Sequence, residues 1–392
     1  MVNQGNRAPV PSADLAAALA PFGRSRMLPR EAYVDPQVFD WEQHNIFFGW
    51  TCVGHASDIA AVGAHCAVGS GASGVLLVRS EADVVHAFAN TCPHRGHELL
   101  PSGAEATKRS IVCRYHSWSF RLDGTVQNAP GFRDADDFDF DAGEFGLREL
   151  RLVNWHGWLF VDRSGHDADF AEHVAGIEDI VGPYRPEDLT IVARHSYELA
   201  TNWKVIVENY QECYHCSRIH PELCRVSPPN SGDTLELEGS WLAGSMALVD
   251  DAETMSLSGK SGGAAIAGLS EQQLRTVMYI VGYPNLLVSL HPDYIMTHLM
   301  TPLAVDRTHV ECAWTVPKDV AAKPDFDPSY AVDFWDLTNR QDWAACESVQ
   351  RGLASPHARP GPLAPDEEGV YQFITRVARA YSGADGSAAE HR

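Results

Sequence analysis

The sequence predicts an α+β protein of two domains behind a helical lead-in. Three observations carry this. Apolar stretches of strand length, broken by turn residues, run from about 46 to 165: GVLLVRS, VVHAFAN, RSIVCRYHSWSFRL and LVNWHGWLFVDR. From 166 to 392 the pattern is mixed. TNWKVIVENYQECYHCSRI reads as helix, TVMYIVGYPNLLVSLHP and THVECAWTVP as strands. Finally, the chain has 392 residues and is 45% apolar, enough to fill two cores.

The elements follow in order. Residues 1–45 read as a helical segment ending in PREAYVDPQVFDWEQHNIF. Within it LAAALAPF (15–22) follows Asp14, holds Pro21 and lacks a basic lead-in, so it reads as the end of a short surface helix rather than a secretion signal. Residues 46–165 read as a compact all-β unit. There GSGASG (69–74) matches a dinucleotide-binding pattern, but it leads into the strand VLLVR and offers no helix N-terminus, so a hairpin turn is expected. In 166–392, SGKSGGAAIAG (258–268) reads as a flexible loop and a candidate lid. Its GKS lacks the leading glycine of a phosphate loop, because Thr254 stands at that place. DFWDLTNRQDWAACESVQRGL is helical, with apolar residues three and four apart.

Bulk properties narrow the function. Fifty-two acidic residues against thirty basic ones give a net charge of −22. Such a field repels phosphate backbones and anionic membrane surfaces. No apolar run reaches the length of a membrane span. Nine cysteines, an odd number in no tight repeat, point to a reducing cytoplasm rather than a secreted disulfide framework. Cys52, Cys66, Cys312 and Cys346 read as buried small hydrophobes.

Two stretches carry metal-site patterns. CPH (92–94) and CRYH (113–116) each offer one thiolate and one imidazole, with 18 residues between His94 and Cys113. Facing each other, they can hold a [2Fe–2S] cluster, Cys92 and Cys113 on one iron and His94 and His116 on the other. The alternating Cys/His order fits this better than zinc, whose sites more often pair like ligands. The second stretch is ENYQECYHCSRIH (208–220). On a helix over 201–218, Glu212 and His215 share a face, and His220 follows before Pro221 ends the helix. Two imidazoles and one carboxylate make the facial arrangement of non-haem Fe(II) oxygenases. Cys213 and Cys216 read as packing residues. The carboxylate must come from far along the chain, and Asp342, Asp336 and Glu347 are all candidates by pattern.

CPHRGHELL, CRYHSWSF, ATNWKVIVENYQECYHCSRIHPEL and FWDLTNRQDWAACESVQRG together resemble the catalytic subunit of Rieske-type non-haem iron oxygenases, from about PREAY to VYQFITRVA. The resemblance implies an all-β Rieske domain and a catalytic domain with a central antiparallel sheet covered by helices. It implies iron ligands His215, His220 and Asp342. Glu212 matches the acidic residue that links an iron-bound histidine to a Rieske histidine, here His116, across a subunit boundary in a head-to-tail trimer; most family members carry Asp there. PNLLVSLHPDY, TMSLSG, FWDLTNRQDW and PGPLAPDEEGVYQF resemble the subgroup of glycine betaine, stachydrine and choline oxygenases. That subgroup implies O2 as co-substrate, electrons from NAD(P)H through a flavin or iron–sulfur reductase, and N-demethylation of a quaternary or tertiary amine. Trp241, Tyr283 and Tyr294, with His298, are candidates for the pocket around the cationic nitrogen. Hydroxylation or O-demethylation of an aromatic substrate is the alternative. A bare Rieske electron carrier would need only the β unit.

Overall fold

The computed structural model describes residues 7–69, 73–132, 138–165, 168–237 and 239–383. Contacts divide the chain into two compact units, Phe47–Asp167 and Met1–Ile46 with Ala168–Arg392. Among the described residues no helix is long and apolar enough to cross a membrane.

The first of these units is all β. Its strands are β1 Thr51–His55, β2 Ala64–Val68, β3 Val75–Glu81, β4 Val84–Ala89, β5 Glu105–Thr107, β6 Ile111–Val112, β7 Ser119–Phe120, β8 Val126–Asn128, β9 Glu149–Trp155 and β10 Trp158–Asp162. One sheet has the order β1-β10-β9-β4-β3-β2-β5, and a small sheet the order β6-β7-β8. Strand β3 shows why VLLV is unbroken apolar sequence. Leu76 and Val78 enter one core with Phe88, Trp118 and Phe120, while Val75 and Leu77 enter the other with Val53, Leu159 and Val161. Successive side chains point to opposite faces, and both faces are covered. Cys92 and Cys113 belong to the first core. Gly124 is required there: its φ is +82°, and a Cβ would lie 2.6 Å from the Phe88 ring. Residues 70–72 of GSGASG lie outside the described residues, but the flanking β2 and β3 pair antiparallel.

The second unit begins with α1 Ser12–Ala18, α2 Glu31–Val34 and α3 Pro36–Asn45, followed by α4 Phe170–His173 and α5 Glu178–Val181. A seven-stranded sheet follows from β11 Leu189–Leu199, β12 Gly232–Leu235, β13 Trp241–Ala247, β14 Thr276–Gly282, β15 Leu286–Leu290, β16 Ile295–Ala304 and β17 Arg307–Pro317, in the order β11-β17-β16-β15-β14-β13-β12. Every neighbouring pair is antiparallel. The remaining helices are α6 Trp203–Tyr210, α7 Cys216–Ile219, α8 Pro221–Val226, α9 Lys318–Ala321, α10 Ser329–Leu353 and α11 Glu368–Ser382.

A buried charge network ties the N-terminal segment to this unit. Lys204 Nζ on α6 donates to Glu42 Oε1 on α3 at 2.6 Å, Trp203 Nε1 donates to Glu42 Oε2 at 2.9 Å, and the Tyr381 hydroxyl on α11 donates to Glu42 as well. Lys204 and Glu42 are both fully buried. Three donors around one carboxylate offset the cost of taking it out of water.

Three local expectations change. The single helix over 201–218 is two helices with a turn over 211–215. Pro221 starts α8 rather than ending a helix, as suits a first-turn proline with no N–H to satisfy. The 258–268 loop is anchored: Ser261 donates to Asp293, Lys260 pairs with Glu253, and Gly262 lies against Tyr330.

Candidate metal centres

The two Cys/His loops of the β unit have the same hydrogen-bond plan. Cys92 N–H donates to the His97 carbonyl (2.8 Å) and Gly96 N–H to the Cys92 carbonyl (2.9 Å). Cys113 N–H donates to the Trp118 carbonyl (2.8 Å) and Ser117 N–H to the Cys113 carbonyl (3.0 Å). The residue four after each cysteine is left-handed, Gly96 at φ +69° and Ser117 at φ +60°. Glycine adopts this freely; Ser117 adopts it despite its Cβ, held by the turn.

The loops meet. The His94 and His116 rings are 4.8 Å apart, edge to face, and His94 stacks on Trp118 at 5.0 Å. Both thiols are buried, and Cys92 and Cys113 are within hydrogen-bond reach of each other. Burial pushes the Cys92 thiol up, against the amides of His94 and Arg95 that hydrogen-bond its sulfur. Such thiols ionise when a cation binds them. His116 Nδ1 is buried with no hydrogen-bond partner. Two buried thiols and two imidazoles, one with an orphaned inner nitrogen, fit a [2Fe–2S] group held by two thiolates and two neutral imidazoles.

In the α+β unit, His215, His220 and Asp342 place one ligand atom each within 4.8 Å of one another. His220 Nε2 is 2.8 Å and His215 Nε2 3.3 Å from Asp342 Oδ1, and the two Nε2 atoms are 3.2 Å apart. The break after α6 makes this possible, since it turns His215 toward His220 at the junction of α7 and α8. The outer nitrogens are held. His215 Nδ1 donates to Glu212 Oε1 at 2.5 Å and His215 N–H to Glu212 Oε2 at 3.1 Å. His220 Nδ1 donates to Gln341 Oε1 at 2.7 Å. Both Nε2 atoms therefore face the centre, the arrangement of a metal site with its outer hydrogen bonds in place.

The rivals are engaged elsewhere. Asp336 accepts from the Tyr197 hydroxyl (2.6 Å) and from Arg340 Nε (2.7 Å), and Glu347 accepts from the Ala200 amide (3.1 Å). The electrostatics favour a cation at the triad. Burial alone would lower the His215 pKa, yet hydrogen bonds to the Asp342 and Glu212 carboxylates carry it up to about 10. Two nitrogens and a carboxylate oxygen are the donor set of a non-haem iron site.

Cys213 and Cys216 are not independent packing residues. They form a disulfide, with Cα atoms 4.9 Å apart, beside the His215 ligand. The sequence reading placed them on a continuous helix. Cys213 lies in the turn over 211–215 and Cys216 opens α7, and the bridge joins the two across that boundary.

The triad opens on a cavity of about 600 Å³. Tyr210, Tyr214, Tyr279, Trp335 and Trp343 supply its aromatic lining, and no residue of 258–268 lines it. Of the four pocket candidates only His298 is there. Burial lowers its pKa to about 4, so it is neutral, with Nε2 3.1 Å from Asn339 Oδ1. Trp241 is fully buried against Gly282. Tyr283 packs between Trp203 and Phe373. Tyr294 lies behind the wall, donating to the Met255 carbonyl and accepting from Trp335 Nε1, both at 2.7 Å. Sequence reasoning missed Trp335, Thr338 and Asn339 as lining residues. Their spacing from Asp342 on α10, seven, four and three residues back, is the helical signal that finds them.

Comparison with known proteins agrees with this geometry. Residues 186–383 match the family model "Ring hydroxylating alpha subunit (catalytic domain)", and residues 49–139 match "Rieske [2Fe-2S] domain". The chain is 29% identical over 377 residues to the glycine betaine monooxygenase oxygenase subunit of Pseudomonas aeruginosa, covering 88% of this chain and 87% of that protein. It is 36% identical over 197 residues to the carnitine monooxygenase oxygenase subunit of Escherichia coli, covering 50% and 52%. In fold it is similar to a crystal structure of the quaternary ammonium Rieske monooxygenase CntA, with a TM-score of 0.76 at 24% identity over 96% of this chain and 100% of that one.

Proposed function

The chain belongs to the ring-hydroxylating alpha-subunit family, with a Rieske domain ahead of its catalytic domain, and we propose that it hydroxylates an N-methyl group of a quaternary ammonium substrate. The observation that carries this reading is the His215–His220–Asp342 triad opening directly on an aromatic-lined cavity. Balanced, an N–CH3 group, O2, two electrons and two protons give N–CH2OH and water. The carbinolamine then releases formaldehyde and the demethylated amine. NAD(P)H, through a flavin or iron–sulfur reductase, is the electron source. When bound, the [2Fe–2S] cluster relays single electrons and the mononuclear iron supplies O2 activation.

The chain's own residues do the rest. Cys92, His94, Cys113 and His116 would hold the cluster. His215, His220 and Asp342 would hold the iron at the wall of the cavity, beside the space that takes the substrate. Gln341 and Glu212 fix the imidazole tautomers by accepting hydrogen bonds from the two Nδ1–H groups. The aromatic walls face the cationic nitrogen and exclude water. We assign Glu212 a second task, linking His215 to His116 of another copy of the chain in a homotrimeric ring, which a closing head-to-tail interface permits. NAD(P)H dependence suits a cytoplasmic enzyme. An electron carrier has no use for the 186–383 catalytic domain.

The test is formaldehyde release. Reconstituted protein, a surrogate reductase and NADH are offered choline, glycine betaine, stachydrine and carnitine beside aromatic acids. Formaldehyde in step with NADH from an amine supports the reading. Peroxide alone with every amine, and an oxygenated product from an aromatic acid, would overturn it.

A further inference from the structure

The Cys213–Cys216 bridge flanks a metal ligand, His215, and both of its cysteines line the cavity. Cys216 is buried and Cys213 half-buried. Cys216 Sγ lies 4.0 Å from His215 Nε2, the nitrogen that faces the centre. The three donor atoms of the triad stand 2.8, 3.2 and 3.3 Å from one another. A tetrahedral metal with a nitrogen at about 2.0 Å and a sulfur at about 2.3 Å holds those two atoms about 3.5 Å apart. The Cys216 sulfur is therefore within about half an ångström of the separation that a fourth ligand needs from His215. Other cysteines of the unit are placed elsewhere. Cys346 Sγ donates to the Val205 carbonyl at 3.8 Å, and neither it nor Cys224 nor Cys312 lines the cavity.

The state of the bridge decides which donors the site offers. A bridged sulfur carries no charge and is a poor ligand, so the triad presents two nitrogens and a carboxylate oxygen, the set of a non-haem iron site. With the bridge opened, Cys216 can bind as a thiolate, and the set becomes two imidazoles, one carboxylate and one thiolate. Four such donors close a tetrahedral zinc site, and soft thiolate favours zinc over Fe(II). Zinc has no redox chemistry, so a site filled with it does not activate O2. The opening step balances. A dithiol reductant attacks Cys213, the more accessible sulfur, forms a mixed disulfide with it and releases Cys216 as the thiolate. The second thiol of the reductant then displaces Cys213, and the reductant leaves as its own disulfide. Two electrons pass to the bridge. Of the two protons the reductant gives up, one ends on Cys213, and the other goes to solvent when a metal binds Cys216. A cytoplasm supplies such dithiols.

We propose that the Cys213–Cys216 bridge sets which metal the triad holds: closed, it reserves the site for iron, and opened, it lends Cys216 as a fourth ligand and turns the site to zinc. The inference rests on the reading of the triad as an iron site. The test uses the full chain with its cluster assembled, offered equal Fe(II) and zinc without oxygen. The bridge is left intact or opened with a dithiol that is removed before metal is added. Cys213→Ser and Cys216→Ser both lose the bridge, but only the first keeps the Cys216 thiol. Bound zinc, relative to iron beyond that of the cluster, is expected to rise at least about tenfold in the reduced protein and in Cys213→Ser, since even a partner outside the ligand set shifts metal affinity by about 10–100-fold. It should not rise in Cys216→Ser. X-ray absorption at the zinc edge should show a sulfur at about 2.3 Å in the first two and only nitrogen and oxygen in the third. A sulfur-free zinc shell in the reduced protein, or equal zinc uptake by the two variants, would overturn the inference and leave the iron triad standing. So would alkylation showing both thiols free in aerobically purified, iron-loaded protein. If the bridged protein takes no iron, the triad reading falls as well. Should either variant fail to fold, the bridged and reduced samples of the unaltered chain carry the comparison.

Discussion

Replacing Glu212 with alanine separates two tasks of one side chain. The carboxylate accepts from His215 Nδ1 at 2.5 Å and from the His215 amide at 3.1 Å. A hydrogen bond to a charged group is worth about 1.5–3 kcal/mol. Removing a partner that orients a metal-bound histidine weakens metal affinity by about 10–100-fold, roughly 1.4–2.8 kcal/mol, which is the same range. If Glu212 only oriented the ring, turnover would drop with iron occupancy and return when iron is supplied in excess. If it also carries the connection between cluster and iron, turnover stays more than about 100-fold down at full iron occupancy. The assay is steady-state formaldehyde release alongside iron content, at limiting and saturating Fe(II). Full rescue by saturating iron would refute the linking role and leave Glu212 a positioning residue.

Asp342→Ala should lose the mononuclear iron while the visible spectrum of the cluster persists, because the cluster ligands belong to the other unit; full iron by metal analysis would move the third ligand elsewhere. His116→Cys should lower the cluster potential, since a thiolate adds negative charge where a neutral imidazole stood; an unchanged voltammogram would take His116 off the cluster. Glu208 on α6 is buried, accepts from the Tyr33 hydroxyl, and has its pKa raised by burial to about 8. Its folded pKa lies above the unfolded one, so its contribution is complete below about 4.5 and is lost as pH rises through about 8. Glu208→Gln should flatten the fall in stability across that window, measured by denaturant unfolding at several pH values; an unaltered slope would mean that Glu208 ionises normally.

Much of the molecule is legible in the chain because its determinants are short-range. The Cys92/His94 and Cys113/His116 loops are each complete within six residues, down to the left-handed Gly96 and Ser117. The unbroken VLLV run marks a strand buried on both faces, as β3 is. The 201–218 helix fails for the same reason that single-sequence periodicity fails elsewhere. Apolar spacing continues past Tyr210, but α6 is capped at Gln211, and the Glu212 carboxylate accepts from the His215 amide in the turn that follows. Cys213 and Cys216, which read as packing residues in the sequence, are joined in a bridge at that break.

By itself the sequence determined the donor types, the imidazole pair His215 and His220, the two Cys/His loops and the acidic character of the whole. All are set by residues a few positions apart or by composition. Pattern left Asp342 beside Asp336 and Glu347, and the family resemblance named Asp342; the tertiary structure brings Asp342 to the two histidines, and it alone decided which aromatics face the cavity rather than the core. Asp342 reaches His220 across 122 positions because α10 packs beside α6 and α8. Tyr294 and Trp335, joined by one hydrogen bond, fall on opposite sides of the cavity wall. Contacts of that kind depend on how sheet and helices stack, which side-chain spacing along the chain does not encode.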